Sequence, residues 1–415
     1  MKFLHAADIH LDSPMAGLAR ADAATAALVR DATRRAFRAM MQLAIDEDVA
    51  FVVIAGDLYD GDWHDYSTGV FFAREMERLG ERPVFVVLGN HDAVSRITKG
   101  LRFTLPRNVH LFGTRGCETI RHELLGIAVH GRSFADRHVP EDMSAGYGPP
   151  VPGLLNIGVL HTSATGTGDH EVYAPCTPDA LARREYDYWA LGHIHARAVL
   201  RESPHIVFPG NLQGRHVRET GAKGCTLVHV EDGRIARIEH RSVDVLRWAV
   251  SEIDASGLAT EEALFARVRD VMHDLGAAAD GRPVLARLVL GGETALHNPL
   301  IVEPDRIEAE LQRLAPDGVS LHALRLRTTP PRGAGRSAGA ALAEDAVASL
   351  LASFDDALDD PDLAHELGAE LAAAIGKLPP ALQEDAEVAA MARPDGLRRL
   401  AAEARAVIGH RLGTP

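Results

Sequence analysis

AFVVIAGDLYD, residues 50–60, is a run of apolar and β-branched residues that stops abruptly at Gly56 and Asp57. A run this short and this rich in Val and Ile predicts a strand buried on both faces. The same pattern appears in KFLHAADIH at residues 2–10 and in PVFVVLGNHD at 83–92. Strands are therefore expected at Lys2–Ala7, Ala50–Ala55 and Pro83–Leu88. Between the first two, Val29, Ala32, Ala36, Phe37, Met40, Leu43 and Ala44 recur at helical spacing, and Val70, Met76 and Leu79 predict a second helix ahead of Pro83. This strand-helix alternation predicts a layered α/β domain with parallel strands.

Each of these strands runs into a polar cluster. Asp8-Ile9-His10, Gly56-Asp57-Leu58-Tyr59-Asp60 and Gly89-Asn90-His91-Asp92 follow the first three, His161 ends a fourth apolar run, and Gly192-His193-Ile194-His195 follows a fifth. Ligands bind at the carboxyl ends of strands in open α/β sheets, so these clusters are expected to meet in space. In an extended segment, Asp8 and His10 point to one side, as do His193 and His195.

The donors are oxygen and imidazole without thiolate, a set suited to Mn²⁺, Fe or Zn²⁺. Seven candidates, Asp8, His10, Asp57, Asn90, His161, His193 and His195, are too many for one ion. A central carboxylate such as Asp57 can bridge two ions about 3.5–4 Å apart, as two-metal hydrolases require. His91 has its own side chain spare beside Asn90 and is the candidate general acid, with Asp60 or Asp92 to hold its ring. The expected chemistry is phosphodiester hydrolysis.

Composition sets the limits around this site. The chain has 415 residues, 46% of them hydrophobic and 5% aromatic, which predicts two or three soluble globular domains. Met1–His10 lacks the apolar stretch of a signal peptide, and no run of about 18 apolar residues suggests a membrane span, so a cytoplasmic location is expected. Cys117, Cys176 and Cys225 are scattered and odd in number, which predicts buried reduced thiols. The net charge of −14 argues against coating nucleic acid by bulk electrostatics. Residues 341–415 alone carry a net −8, so a local basic groove elsewhere is compatible with the total.

From Val109 onward, short strands are expected at Leu124–His130, Leu155–His161, Tyr188–Leu191, His205–Phe208, Thr226–Val230 and Ile235–His240. The expected domains are 1–245, a smaller α/β unit at 246–328, a linker at 329–340, overlapping the Pro/Gly/Ser-rich TTPPRGAGRSAG of residues 328–339, and a helical tail at 341–415. The small unit should carry helices near Thr260–Leu275 and Asp305–Leu314 and strands near Pro283–Leu290 and Val319–Leu326. In the tail, Val347, Leu350, Leu351, Phe354 and Leu358 share one helical face, Leu363, Leu367, Leu371 and Ile375 a second, and Leu397, Leu400, Ala404 and Val407 a third. Arg215, Arg218 and Lys223 are the best candidates for contact with backbone phosphates, because they follow the metal motifs in a glycine-bearing stretch.

The ordered set DxH, GDxxD, GNHD, H and GHxH resembles the calcineurin-like metallophosphoesterase superfamily. HAADIHLDSP at 5–14 and FPGNLQGRHVRETGAKG at 208–224 further resemble SbcD-type DNA repair exonucleases of the YhaO-like branch. The resemblance implies a four-layer sandwich of two mixed β-sheets flanked by helices, with a small α/β capping domain. It implies that Asp8, His10, Asp57 and His195 hold one metal, that Asp57, Asn90, His161 and His193 hold the other, and that His91 is catalytic with Asp60 orienting it. It also implies Mn²⁺-dependent exonuclease action on DNA, with endonuclease action as an addition, beside a coiled-coil ATPase of the SbcC type. The tail is then expected either to grip that ATPase or to pack on the capping domain, and Phe71, Phe72 and Met76 to line a homodimer contact or to fill the core. His64, His110, His130, His170 and His216 match no ligand position and are read as surface or structural, with contact to substrate as the alternative for His64 and His216 on loops near the site. A small-molecule or cyclic-nucleotide phosphodiesterase and a DNA-end binding scaffold are the alternative functions.

Overall fold

The computed structural model describes residues 1–13, 15, 23–60, 66–94, 105–164, 173–331, 361–378 and 386–391, with isolated positions between 393 and 404. It divides into two compact units. The first comprises Met1–Ala249 with Ala279–Leu285, and the second Val250–Ala278 with Ala286–Pro415.

The first unit is built on strands β1 (Lys2–Ala6), β2 (Phe51–Ala55), β3 (Val84–Val87), β4 (Val109–Leu111), β5 (Glu118–His122), β6 (Ile127–Gly131), β7 (Leu155–His161), β8 (Tyr188–Gly192), β9 (Ala198–Glu202), β10 (His205–Phe208), β11 (Gly224–Glu231) and β12 (Arg234–Ser242). They form two six-stranded sheets, ordered β12-β11-β1-β2-β3-β4 and β5-β6-β7-β8-β10-β9. Both are mixed: β1 to β4 run parallel with an antiparallel edge at β11 and β12, and β6, β7, β8 and β10 run parallel between antiparallel β5 and β9.

Side-chain alternation explains the layers. Phe3, Phe51, Val53, Phe85 and Val87 turn inward and pack with Ile127, Val129, Ile157, Val159, Tyr188 and Val207 of the other sheet in one buried cluster. Phe3 and Phe51, direct register partners, stack with ring centroids 4.7 Å apart. Leu4, Val52, Ile54 and Val86 turn the other way, onto helices Ala32–Asp46 and Tyr66–Arg78. Trp189, Leu160, Tyr147 and Tyr186 cover the far face of the second sheet. The expected sandwich is the observed one.

Some local expectations fail for physical reasons. Val70 is 41% exposed, because helix Tyr66–Arg78 buries Phe72 and Met76 instead. Phe71, Phe72 and Met76 belong to the core of the unit, so the dimer role considered for them has no free surface. Leu124 is 96% exposed and lies in a 3₁₀ turn, Glu123–Leu125, that Gly126 at φ 66° closes before β6 begins. Polar β5 pairs only at the sheet edge, which is why its sequence does not read as a buried strand. Cys176 and Cys225 are buried as expected, whereas Cys117 is half-buried.

Ala279–Leu285 joins the first unit through charge. Asp244, fully buried at its carboxyl, lies 3.0 Å from Arg247 Nε and 2.9 Å from Arg282 Nε, and Arg247 Nη2 reaches Asp280 at 2.9 Å. Burial raises the Asp244 pKa in spite of both guanidinium groups. Asp244→Ala would take the carboxylate from between two guanidinium groups, one of them buried, so a loss of about 3–5 kcal/mol is expected in urea unfolding. A cost under about 1 kcal/mol would show the cluster to be surface-like.

β13 (Arg247–Asp254), β14 (Val284–Glu293) and β15 (Val319–Thr329), most of whose residues belong to the second unit, form a three-stranded sheet. Helix Glu261–Ala277 starts where Thr260 Oγ1 accepts from Ala263 N at 3.3 Å and two glutamates occupy the first turn. It buries Leu264, Val268 and Met272, and helix Pro304–Leu314 buries Ile307 and Leu311. Helix Pro361–Ile375 carries Leu367, Leu371 and Ile375 at the expected spacing. Val347, Leu350, Leu351, Phe354, Leu358 and most of the linker lie outside the described residues, as do Leu397 and Val407. Among the described residues, no helix is long and apolar enough to cross a membrane.

Candidate metal centre

The five clusters converge because β1, β2, β3, β7 and β8 all release their chains at one edge of the sandwich. Asp8 N donates to Gly56 O at 3.0 Å and His10 N to Asp57 O at 3.0 Å, which ties the first cluster to the second. His193 N donates to both oxygens of Asp8 at 3.0 Å, which ties the fifth to the first. Gly192 allows the sheets to approach here: a Cβ on it would lie 1.9 Å from Ala55 O. Gly192→Ala is expected to exceed the roughly 1–3 kcal/mol of ordinary overpacking, and to spoil ligand spacing as well. Unfolding and Mn²⁺ titration of the variant would show both. Wild-type values for the two would disprove the close approach.

Asp8, His10, Asp57 and His193 have φ of 51°, 45°, 50° and 106°, in the left-handed region that β-carbons disfavour. Four such residues in one site store strain, at order 1–3 kcal/mol each, of the kind found where function needs an aimed side chain.

The nitrogen and oxygen atoms face one another as lone pairs. His161 Nδ1 lies 3.0 Å from Ala55 O and so carries the proton, leaving Nε2 bare at 2.9 Å from Asn90 Oδ1 and 3.5 Å from Asp57 Oδ2. His195 Nδ1 is 2.5 Å from Glu219 Oε1, leaving Nε2 bare at 3.3 Å from His10 Nε2 and 3.9 Å from Asp8 Oδ1. Asp57 Oδ2 also stands 3.8 Å from His10 Nε2, between the two halves. The His193 ring lies 5.3 Å from that of His161, centroid to centroid.

Electrostatics reinforce the need for a cation. Burial, then the Asp57 charge, pushes the Asp8 carboxyl well above the usual carboxylate range. Burial lowers His161 and His195, and burial followed by Arg215 and neighbouring histidines lowers His10 well below its ordinary value, which favours the neutral imidazole. Carboxylate and imidazole atoms converging in this way are the donor set a divalent cation fits. Two groups, Asp8–His10–His195 and Asp8–Asp57–His161, each bring their ligand atoms within 4.8 Å of one another.

A third such group, His10–Asp60–His91, reads differently. His91 Nδ1 is 2.9 Å from Asp60 Oδ1. Asp60 Oδ2 accepts from Ser13 Oγ at 2.7 Å and from Arg215 Nη1 at 3.1 Å. Burial works to raise Asp60, but the bonds from His91 and Ser13 outweigh it and hold the carboxyl below its ordinary range. Burial likewise lowers His91, and its bond to Asp60 with the Asp57 charge reverses this to a net rise. Asp60 rather than Asp92 therefore orients the ring. Asp92 instead accepts from the backbone of Leu58, Tyr59 and Gly89 at 3.1, 2.8 and 2.9 Å, fastening two motif loops together.

The basic stretch separates into different roles. Arg218 is exposed, and Arg215 is turned onto Asp60 and onto Ser13 at 2.9 Å. Lys223 is buried and donates to His195 O at 3.0 Å, so the phosphate contact expected of it is corrected: its charge serves the backbone. His216 lies 3.4 Å from Glu219, and His64 falls outside the described residues. Glu219, at the site but unremarked in the sequence, betrays itself only as an acid within a basic glycine-bearing stretch.

The profile of the calcineurin-like phosphoesterases matches residues 1–197, and that of the middle domain of metallophosphoesterase YhaO matches 248–329. The chain is 37% identical over 298 residues to "Uncharacterized metallophosphoesterase YhaO" of Bacillus subtilis, covering 70% of this chain and 72% of that one. It is 23% identical over 284 residues to "DNA double-strand break repair protein Mre11" of Sulfurisphaera tokodaii, covering 65% and 70%. It is also 23% identical over 322 residues to the SbcD component of nuclease SbcCD from Escherichia coli, covering 66% and 76%.

Proposed function

Because this chain belongs to the calcineurin-like metallophosphoesterases, in the branch of YhaO, we propose that it is a Mn²⁺-dependent nuclease that cleaves DNA from its ends. Phosphoester hydrolysis with two divalent metals is the chemistry of the family. The observation that carries the reading is the position of Asp57 Oδ2 between the His10 and His161 nitrogens, with the His91–Asp60 pair alongside.

In this reading Asp8, His10, Asp57 and His195 hold one ion, and Asp57, Asn90, His161 and His193 the other. Divalent ions held by these residues would supply an acidified water as nucleophile and positive charge against the phosphate oxygens. His91 donates a proton from Nε2 to the departing oxygen, since Nδ1 is committed to Asp60. Asp60 holds the ring and stabilises its cationic form, and Arg215 with Ser13 holds Asp60. Arg218, exposed on the same loop, is the residue we assign to phosphate contact, whereas Arg215 is held on Asp60 and Ser13.

DNA as substrate is supported by the break-repair and nuclease roles that the Mre11 and SbcCD relatives are named for. By the same relationship, residues 246–328 are assigned as a capping domain, 329–340 as a linker and 341–415 as the segment that engages an SbcC-type ATPase. The test is incubation with Mn²⁺ of end-labelled linear duplex, covalently closed duplex and bis-p-nitrophenyl phosphate. Nucleotide release from linear duplex alone or fastest from it is the expected result. Rapid hydrolysis of the small diester with both duplexes intact would move the assignment to a small-molecule phosphodiesterase.

A further inference from the structure

We infer that Glu219 is a positioning residue for the metal centre, acting through His195; the inference rests on the two-metal reading above. Three contacts from one segment surround His195. Its carbonyl accepts from Asn211 N at 3.3 Å and from Lys223 Nζ at 3.0 Å, and its ring Nδ1 meets Glu219 Oε1 at 2.5 Å. Glu219 is only 6% exposed, so this bond forms away from competing water.

The carboxylate uses both oxygens. Oε2 accepts from Arg215 N at 2.6 Å and from Asn211 Nδ2 at 3.0 Å. One acid thus sets the tautomer and rotation of His195 and also fixes the loop from which Arg215 reaches Asp60. Its Oε1 confines the His195 proton to Nδ1 and leaves the Nε2 lone pair facing His10 and Asp8. An amide cannot replace it, because donors approach both oxygens and a glutamine NH₂ would be forced against one of them.

The effect should be site-selective. His195 belongs to the first ion's ligands and not to the second's, so Glu219→Ala and Glu219→Gln should weaken one Mn²⁺ site about 10–100-fold and spare the other. Asn211→Ala, which removes one donor to Oε2 but leaves the His195 bond, serves as the control for simple loop stapling.

Calorimetric titration of metal-free full-length protein with Mn²⁺, alongside thermal unfolding in chelator, tests this. The expected result is two sites in wild type and in Asn211→Ala, and one intact with one weakened site in both Glu219 variants. Wild-type affinity at both sites in Glu219→Gln would overturn the inference, as would equal weakening of both sites in Glu219→Gln and Asn211→Ala. A wild-type protein that binds no Mn²⁺ would defeat the metal reading itself, a distinct outcome.

Discussion

Replacing His91 with alanine is expected to lower turnover about 10²–10⁴-fold while leaving both metal sites filled. The ring is partly exposed beside the buried ligands, and its Nδ1 is committed to Asp60, so its loss removes a proton donor rather than a ligand. The backbone N–H of His91 donates to Asp57 Oδ1 at 3.0 Å, and that contact survives the substitution. Mn²⁺ titration should therefore match wild type while single-turnover cleavage slows. Asp60→Asn should slow cleavage too, because an amide cannot stabilise the imidazolium charge in the same way. Unchanged cleavage by His91→Ala would eliminate the assigned general acid.

Asp57→Asn is expected to have the opposite signature: metal binding fails although the fold is kept. Asp57 Oδ2 lies 3.5 Å from the bare Nε2 of His161 and 3.8 Å from His10 Nε2, and Asp8 is destabilised by burial and then by the Asp57 charge. An asparagine NH₂ in that position would donate to the imidazoles and remove the repulsion, so the metal-free protein should be at least as stable as wild type. It cannot bridge two cations. The loss of affinity should exceed the roughly 10–100-fold typical of an outer partner. Wild type at an Mn²⁺ concentration 100 times Kd gains about 2.7 kcal/mol per site, and the Asp57→Asn variant should forfeit much of that gain. Melting curves with Mn²⁺ and with chelator make the comparison. An undiminished Mn²⁺-induced rise in Tm would show that Asp57 does not bridge.

Glu219 and Asp57 illustrate why parts of this site differ in legibility. Asp57 ends a buried strand in a glycine-bearing cluster, and its neighbours in sequence are also its neighbours in chemistry. Glu219 lies 24 residues from the ring it holds, in a stretch whose visible feature is positive charge. Lys223 misleads for the same reason: composition suggests a phosphate contact, but burial and the His195 carbonyl claim it. Val70 and Leu124 show the limit on the fold, since apolarity alone does not tell which face of a helix or turn meets a core.

The sequence by itself determined the strand-helix alternation, the layered α/β class and the donor types gathered at strand ends, because short apolar runs and metal-compatible residues are local properties of a chain; the two-sheet sandwich was implied by the resemblance of its motifs. The tertiary structure set Asp60 and not Asp92 on His91, as the resemblance of the motifs implied, and it alone showed that Asp57 stands between two imidazoles and that Glu219 holds a third. It also imposed left-handed φ on Asp8, His10, Asp57 and His193, conformations their identities do not favour. These outcomes depend on sheet register and on hydrogen bonds between residues far apart in sequence, such as the one spanning 185 residues from His193 to Asp8. Such contacts form only after the layers have packed.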